Sequence, residues 1–249
     1  MGTVSRAVFG LASHYLRMWD AASANRVDYF VANSGTVAAR IRKHYRRDAT
    51  VIHPPVDVRP GYLSSTIDDY YLFVGQLVDY KRADLAIEAC NRLGRKLRVV
   101  GDGEQYARLR RMAGPTISFC GSLSDDGVRE QYAHCRALLF PGEEDFGIVP
   151  VEAMSFGRPV IAYGRGGATE TVNALDPGRP EPASVSGMFF REQSTESLIE
   201  AILAYEGVED QFSPFRIRQG VQRFDESHFV ERIGDFICDK VAQFQAGGP

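Results

Sequence analysis

Two glutamates, Glu144 and Glu152, with seven residues between them, follow a short apolar run at residues 137–140. The apolar run is typical of a buried strand, and the spacing at residues 151–154 is helical, so an acidic loop leads from a strand into a helix. Backbone N–H groups at the start of such a helix favour an anion; here they belong to Phe146, Gly147, Ile148 and Val149. Two carboxylates beside an anion site suit a sugar nucleotide, with one carboxylate for the sugar hydroxyls and one for the ribose. The alternative is an acidic cluster that only caps the helix.

A second group of candidate residues follows an earlier apolar run. Gly75 ends the predicted strand at residues 71–75, and Lys81 stands near the start of the next predicted helix. A glycine directly after a strand lets a ligand approach the backbone closely, and a lysine at a helix start can bind a phosphate. Lysine is also common at helix starts on protein surfaces, so this pattern by itself leaves both interpretations open.

Two further patterns follow the next two predicted strands. Residues 101–104 read Gly-Asp-Gly-Glu, half of a dinucleotide-binding fingerprint. The third glycine is absent and the motif follows the second strand of the unit, which argues against an oxidoreductase. Phe119 and Cys120 end the third strand, a position that by itself indicates plain core.

Strands and helices alternate from about residue 70 to residue 210, which predicts a doubly wound α/β domain with a parallel sheet. The predicted strands of this region cover residues 71–75, 97–101, 116–120, 136–140, 159–163 and 187–190. The predicted helices between and after them cover residues 83–93, 105–112, 124–134, a segment from the acidic loop to Gly157, a short piece from Ala168, and residues 194–205. A proline-rich excursion at residues 176–184 precedes the last strand, which is expected at an edge of the sheet.

The flanking segments have a different pattern. Residues 1–27 are predicted to be helical, residues 28–33 and 50–53 to be short strands, and Ser34 to begin a helix with a basic face. That face is compatible with contact with an anionic membrane surface, and the alternative is a solvated helix face. Helices are also predicted near residues 214–223 and 226–243.

Composition excludes several classes of protein. The 249 residues carry a formal net charge of −3, and residues of both signs are interspersed. The sequence therefore has no basic patch of the kind that binds a nucleic acid. No apolar run approaches the roughly 20 residues that span a bilayer. The four cysteines are irregularly spaced and the five histidines are scattered, which indicates reduced cytosolic thiols and no metal site.

The acidic loop resembles the Glu–seven–Glu signature of the family-4 retaining glycosyltransferases, whose GT-B fold has two Rossmann-like halves. The matching residues are Glu144-Asp145-Phe146-Gly147 and Glu152-Ala153, with Asp145 where proline is common. Residues 31–34 and 54–57, Val-Ala-Asn-Ser and Pro-Pro-Val-Asp, are similar to the passage between the two halves. The resemblance implies a C-terminal donor-binding half, similar to bacterial mannosyltransferases of polysaccharide assembly.

The resemblance also implies roles for single residues. Glu144 and Lys81 are the catalytic candidates, with Glu144 on the sugar and Lys81 on the diphosphate, and Glu152 holds the ribose. Gln76 occupies the position of a usual diphosphate-binding arginine, and Arg82 is the residue that would compensate for it. The remaining donor-binding candidates are Gly75, Gly101 and Gly103 as turns under the nucleotide, Phe119 and Cys120 against the base, and Phe146, Gly147, Ile148 and Val149 of the acidic loop. Gly166 and Gly167 match a glycine pair of the family, although such a pair makes a tight turn in any fold of this class.

Four segments follow from this interpretation: an N-terminal helical remnant (1–27), an inter-domain segment and linker (28–69), the nucleotide-sugar-binding domain (70–222) and a C-terminal crossover helix (223–249). The implied reaction transfers a sugar from GDP-mannose or a UDP-sugar to an acceptor hydroxyl with retention. It requires no cofactor and no obligate metal.

A saccharide or lipid-linked acceptor would be held by an N-terminal domain that precedes these residues in the family. The expected location is cytoplasmic, at the inner face of a membrane. The alternatives are a nucleotide-sugar-binding module without catalysis and, less favoured because it does not carry the Glu–seven–Glu loop, a sugar-nucleotide epimerase.

Overall fold

The computed structural model describes residues 3–175 and 185–247. The predicted proline-rich excursion at residues 176–184 lies outside the described residues. Contacts divide the chain into two compact units, one formed by Met1–His53 with Val230–Pro249 and the other by Pro54–Phe229. The four predicted segments concern the longer architecture of the family and stay a prediction.

The first unit holds two long helices and a small parallel sheet. Its elements are α1 (Thr3–Ser23), β1 (Phe30–Ala32), α2 (Gly35–Tyr45), β2 (Ala49–Val51) and most of α10 (Glu226–Gln245). β1 and β2 pair in parallel from Phe30 opposite Ala49. The predicted strand at residues 28–33 is too long, because the Asp28 carbonyl accepts from the Arg47 guanidinium at 2.8 Å and Ser34 already caps α2. No described helix is long and apolar enough to cross a membrane.

The second unit is a six-stranded parallel sheet, and the predicted doubly wound arrangement is confirmed. Its strands are β3 (Tyr71–Val74), β4 (Leu97–Val100), β5 (Ile117–Gly121), β6 (Leu138–Phe140), β7 (Val160–Tyr163) and β8 (Gly187–Phe190). Its helices are α3 (Ala83–Leu93), α4 (Tyr106–Met112), α5 (Asp125–His134), α6 (Ile148–Ser155), α7 (Ala168–Thr171), α8 (Thr195–Glu206) and α9 (Pro214–Gly220). β8 lies at an edge of the sheet, as predicted.

The apolar composition of the strands follows from this architecture. Every residue of β6 and β7 is buried, because helices cover both faces of a parallel sheet. Two of the helices, α5 and α8, begin where the side chains of Ser124 and Ser194 accept from the backbone of the first turn. The bounds of α3 agree with the predicted ones, and most strands are one or two residues shorter than predicted.

The strand order, β5-β4-β3-β6-β7-β8, reverses between β3 and β6. In an open α/β sheet a ligand binds outside the carboxyl ends of the strands at such a point of reversal. The loops that leave β3 and β6 there contain Lys81 and Glu144, respectively. The fold therefore brings together two residues that the sequence analysis singled out separately.

Candidate functional site

Two loops carry the site: the phosphate loop, residues 75–82 after β3, and the acidic loop, residues 141–147 after β6. The Lys81 ammonium and the Glu144 carboxylate form an ion pair between them, across 63 residues of sequence. The two side chains are only 14% and 18% exposed. Gly142 lies against the phosphate loop so closely that a Cβ atom there would come within 3.0 Å of the Lys81 Cα. The pair is thus held in a narrow contact between the two loops.

This pair contains the two kinds of chemical group that could bind a sugar diphosphate. The ammonium donates up to three hydrogen bonds and attracts phosphate oxygens, while the carboxylate accepts hydrogen bonds from hydroxyl groups. Because both groups are largely removed from water, their interactions with a ligand are screened less than they would be on an open surface. In the structure each satisfies the other.

The glycines after β3 and β4 allow the two loops there to interlock. A Cβ atom on Gly101, whose φ is 129°, would overlap the carbonyl oxygen of Gly75. Leu77 donates its N–H to the Asp102 carbonyl at 2.9 Å, and its own carbonyl accepts from the Gln105 N–H at 3.0 Å. These backbone contacts fix the phosphate loop, and Gln76 at its start is exposed.

The glycine pair at residues 166–167 contacts the backbone of the acidic loop and supports it. The Gly167 N–H donates to the Glu144 carbonyl at 2.7 Å. A Cβ atom on Gly167 would overlap the backbone of Phe146, although φ at Gly167 is an ordinary −65°. The sequence analysis gave this glycine pair little functional weight. The structure shows that the glycine pair fixes the position of the acidic loop.

The start of α6 has the character expected of an anion site. Gly147 is its N-cap with a φ of 85° and provides no side-chain cap for the first turn. Ile148 is 45% exposed and Val149 is half-buried, so the backbone N–H groups there stay near the surface. Phe146 is different, because its ring is buried in the core and packs edge-on against Phe224 at 5.4 Å between ring centres. The Phe146 side chain is thus part of the core of the second unit.

Glu152 lies in the second turn of α6, as predicted, and faces α5. The Tyr132 hydroxyl donates to its Oε2 at 2.9 Å. Burial raises the pKa of the Glu152 carboxyl, the bond from Tyr132 opposes this, and Asp125 raises the pKa further. An open cleft of about 470 Å³ adjoins it, and the residues that line this cleft are Asp57, Pro60, Val74, Asp125, Val128, Arg129, Tyr132, Glu152, Ser155 and Phe156.

The raised pKa of Glu152 has a consequence for stability. The folded chain binds this proton more tightly than the unfolded chain, so stability falls as pH rises from the unfolded pKa through the folded one. Glu152→Gln should therefore raise Tm at pH 7, by about 2–4 °C for each kcal/mol of burial cost removed. The gain should vanish at a pH where the carboxyl is protonated in both states. Thermal unfolding from pH 3.5 to 8 measures this, with Glu200→Gln on exposed α8 surface as the control, and an equal gain at every pH would contradict it.

Arg82 does not stand beside Lys81 as a second cation. It has a left-handed backbone, with φ 55° and ψ 38°, and its guanidinium donates to both carboxylate oxygens of Asp84 at 3.1 and 3.2 Å. Its Nη1 donates to the Gln193 amide oxygen at 3.3 Å. Arg82 is thus engaged in contacts within the protein, and its compensation for Gln76 stays a prediction.

Phe119 and Cys120 lie at the carboxyl end of β5. The Phe119 ring packs edge-on against Tyr106 at 5.4 Å, and the Arg110 guanidinium lies over the same ring at 5.4 Å. Both neighbours belong to α4, so the ring is occupied by that helix. Cys120 is half-buried and carries a free thiol. The contact of these two residues with a base stays a prediction.

Comparison with known proteins identifies the family. The family model described as "Glycosyl transferases group 1" matches residues 68–205, more than half of the chain and most of the second unit. The chain belongs to the group 1 glycosyltransferases. The matched range includes the phosphate loop, the acidic loop, the glycine pair and α6.

Curated relatives of this glycosyltransferase include two mannosyltransferases. It is 30% identical over 195 residues to O-antigen chain mannosyltransferase C of Escherichia coli, which covers 71% of this chain and 50% of the relative. It is 30% identical over 158 residues to alpha-1,3/1,6-mannosyltransferase ALG2 of Homo sapiens, which covers 59% of this chain and 37% of the relative. The chain thus spans half the length of the first relative, and less of the second.

A solved structure shares the fold. The crystal structure of HepE from Anabaena in complex with UDP and glucose aligns with a TM-score of 0.75 at 20% identity, over 89% of this chain and 66% of HepE. The predicted fold, one Rossmann-like half of a GT-B architecture, is confirmed by this similarity.

The structure also adds residues to the site of this group 1 glycosyltransferase. Tyr132 and Gln193 were not predicted, because a tyrosine within a helix and a glutamine in a loop carry no motif. They are recognised only by their contacts, Tyr132 with Glu152 and Gln193 with Arg82. The described residues contain no cluster of His, Cys, Asp or Glu that could hold a metal ion.

Proposed function

We propose that this chain is the donor-binding half of a retaining glycosyltransferase that transfers a hexose from a nucleoside diphosphate sugar to an acceptor hydroxyl. The observation that carries the proposal is the Lys81–Glu144 pair at the point where the strand order reverses. A cation for the diphosphate and an acceptor for the sugar hydroxyls meet there in one narrow contact.

The residues have distinct tasks in this reaction. As the glycosidic bond breaks, negative charge grows on the leaving diphosphate, where the Lys81 ammonium and the N–H groups at the start of α6 stabilise it. Glu144 binds hydroxyls of the sugar ring and orients it while the anomeric carbon becomes positive. Glu152 accepts from the ribose hydroxyls. The positive charge supplied by the protein itself makes a resident metal unnecessary in this proposal.

The relatives favour mannose as the sugar. Two of them are named as mannosyltransferases, one of O-antigen chains, which supports GDP-mannose as the donor and surface polysaccharide assembly as the context. HepE was crystallised with UDP and glucose, which keeps UDP-sugars as the second donor class. The acceptor would be a saccharide or a lipid-linked saccharide, bound by residues outside this chain, since the alignments cover only half or less of these two relatives.

Calorimetric titration of the purified chain with GDP-mannose, UDP-glucose, GDP and UDP tests the proposal. Saturable binding of one nucleotide sugar together with its nucleoside diphosphate is the expected result. Binding of none of the four would overturn it. A chain that binds a nucleotide sugar but transfers nothing after it is joined to an acceptor half would be a binding module, the alternative function.

The two glutamates should separate in the same titrations. Glu152→Gln should weaken the binding of the nucleoside diphosphate and of the nucleotide sugar alike, by about 1–3 kcal/mol, because both ligands carry the ribose. Glu144→Gln should keep or increase the affinity for the nucleoside diphosphate, because no carboxylate then competes for Lys81. Only the affinity for the nucleotide sugar should fall. If both variants lose the nucleoside diphosphate equally, the acidic loop has only a structural role.

A further inference from the structure

The phosphate loop and the acidic loop are joined by a second connection besides the Lys81–Glu144 pair. The side-chain amide of Gln193, in the turn between β8 and α8, donates to the carbonyl of Pro141 at 2.9 Å. The oxygen of the same amide accepts from Arg82 Nη1 at 3.3 Å. One glutamine thus connects the last residue of the phosphate loop to the first residue of the acidic loop.

The Arg82 end of this connection is firmly held. Its guanidinium forms a two-bond contact with Asp84 in the first turn of α3, and the two side chains are 30% and 21% exposed. A left-handed backbone is unfavourable for a residue other than glycine, so the surrounding contacts must fix it. That backbone turn also sends the Lys81 and Arg82 side chains to different partners, Glu144 and Gln193.

We propose that Gln193 is a positioning residue that keeps the two loops in register while Lys81 changes partner. This inference rests on the proposed function. When the Lys81 ammonium turns to the diphosphate and Glu144 to the sugar hydroxyls, the direct pair between the loops is given up. The Arg82–Gln193–Pro141 connection includes neither the Lys81 ammonium nor the Glu144 carboxylate, so it persists through that exchange. It therefore favours the arrangement in which both loops contact one ligand at the same time.

The test compares three variants in titrations with GDP, UDP, GDP-mannose and UDP-glucose. Gln193→Met keeps the length of the side chain and removes both hydrogen bonds, and Gln193→Glu keeps the acceptor for Arg82 and removes the donor to Pro141. Arg92→Met is the matched control. Arg92 bonds Glu196 of α8 at 2.8 Å, so its loss removes a surface contact between the same two helices, α3 and α8, away from the loops.

In Gln193→Met the dissociation constant of the nucleotide sugar should rise about tenfold more than that of its nucleoside diphosphate. Only the nucleotide sugar engages the Lys81 ammonium and the Glu144 carboxylate at the same time. Gln193→Glu should show most of the same effect, because the bond to Pro141 is the one that reaches the acidic loop. Arg92→Met should leave the ratio of the two dissociation constants unchanged.

An unchanged ratio in Gln193→Met, or an equal change in Arg92→Met, would overturn the inference. A variant that merely loses stability would show fewer binding-competent molecules and a lower Tm, with the same ratio among those that bind. If the parent chain binds no nucleotide sugar, the proposed function fails instead, and the two failures are therefore distinguishable.

Discussion

Lys81→Ala should bind GDP and UDP about 10- to 100-fold more weakly than the parent chain, the range expected for a hydrogen bond from a charged donor. Its affinity for guanosine and uridine should change less than twofold. Two causes act in the same direction. The ammonium that meets the diphosphate is lost, and the Glu144 carboxylate, only 18% exposed, is left without its cation and repels the phosphates.

Titration calorimetry with the four ligands measures the difference. Lys96→Ala is the matched control, because Lys96 is 65% exposed and pairs with Asp69 beside the amino ends of the strands. The double variant Lys81→Ala/Glu144→Gln should recover part of the lost affinity, since it removes the repelling charge. Equal losses for nucleoside and nucleoside diphosphate would remove Lys81 from its role.

Gly167→Ala should lose about 1–3 kcal/mol of unfolding free energy, the usual cost of overpacking, and nearly all binding of nucleotide sugars. The new methyl group would overlap the backbone of Phe146. Since φ at Gly167 suits any residue, the effect is purely steric. The acidic loop must move away from residue 167 to remove the overlap. That movement carries Glu144 and the start of α6 away from the ligand.

Urea unfolding and titration with GDP-mannose and UDP-glucose together measure both effects. Gly207→Ala is the control, because a Cβ atom there comes no closer than 3.5 Å to its nearest neighbour and its φ is −74°. If Gly167→Ala binds like the parent chain, the glycine pair does not set the position of the acidic loop.

Much of the fold follows from local rules that act within a few residues. Ser124 and Ser194 predict the starts of their helices because a serine side chain can accept a hydrogen bond from a backbone N–H of the first turn. The continuous apolar composition of β6 and β7 indicates burial on both faces, and hence a parallel sheet covered by helices. The alternation of such strands with helices was enough to predict the doubly wound arrangement.

The candidate site could be predicted only in part. The spacing of Glu144 and Glu152 places one before a helix and the other in its first or second turn, and in the structure Glu152 lies in the second turn of α6. The contact of Glu144 with Lys81 was not predictable from spacing, because it depends on β3 and β6 being neighbours in the sheet. The left-handed turn at Arg82 is also beyond local rules, since arginine has no preference for it.

The interlocked glycine loops have a consequence for any attempt to redesign donor choice. Gly101 and Gly167 each meet the backbone of a neighbouring loop where a side chain would begin, so libraries that randomise these positions would consist mostly of misfolded clones. The variation that a laboratory evolution experiment can use lies in the side chains that border the site without supporting it. Gln76 is exposed at the start of the phosphate loop, and Asp125 and Arg129 line the cleft beside Glu152. These three positions are the productive place to begin.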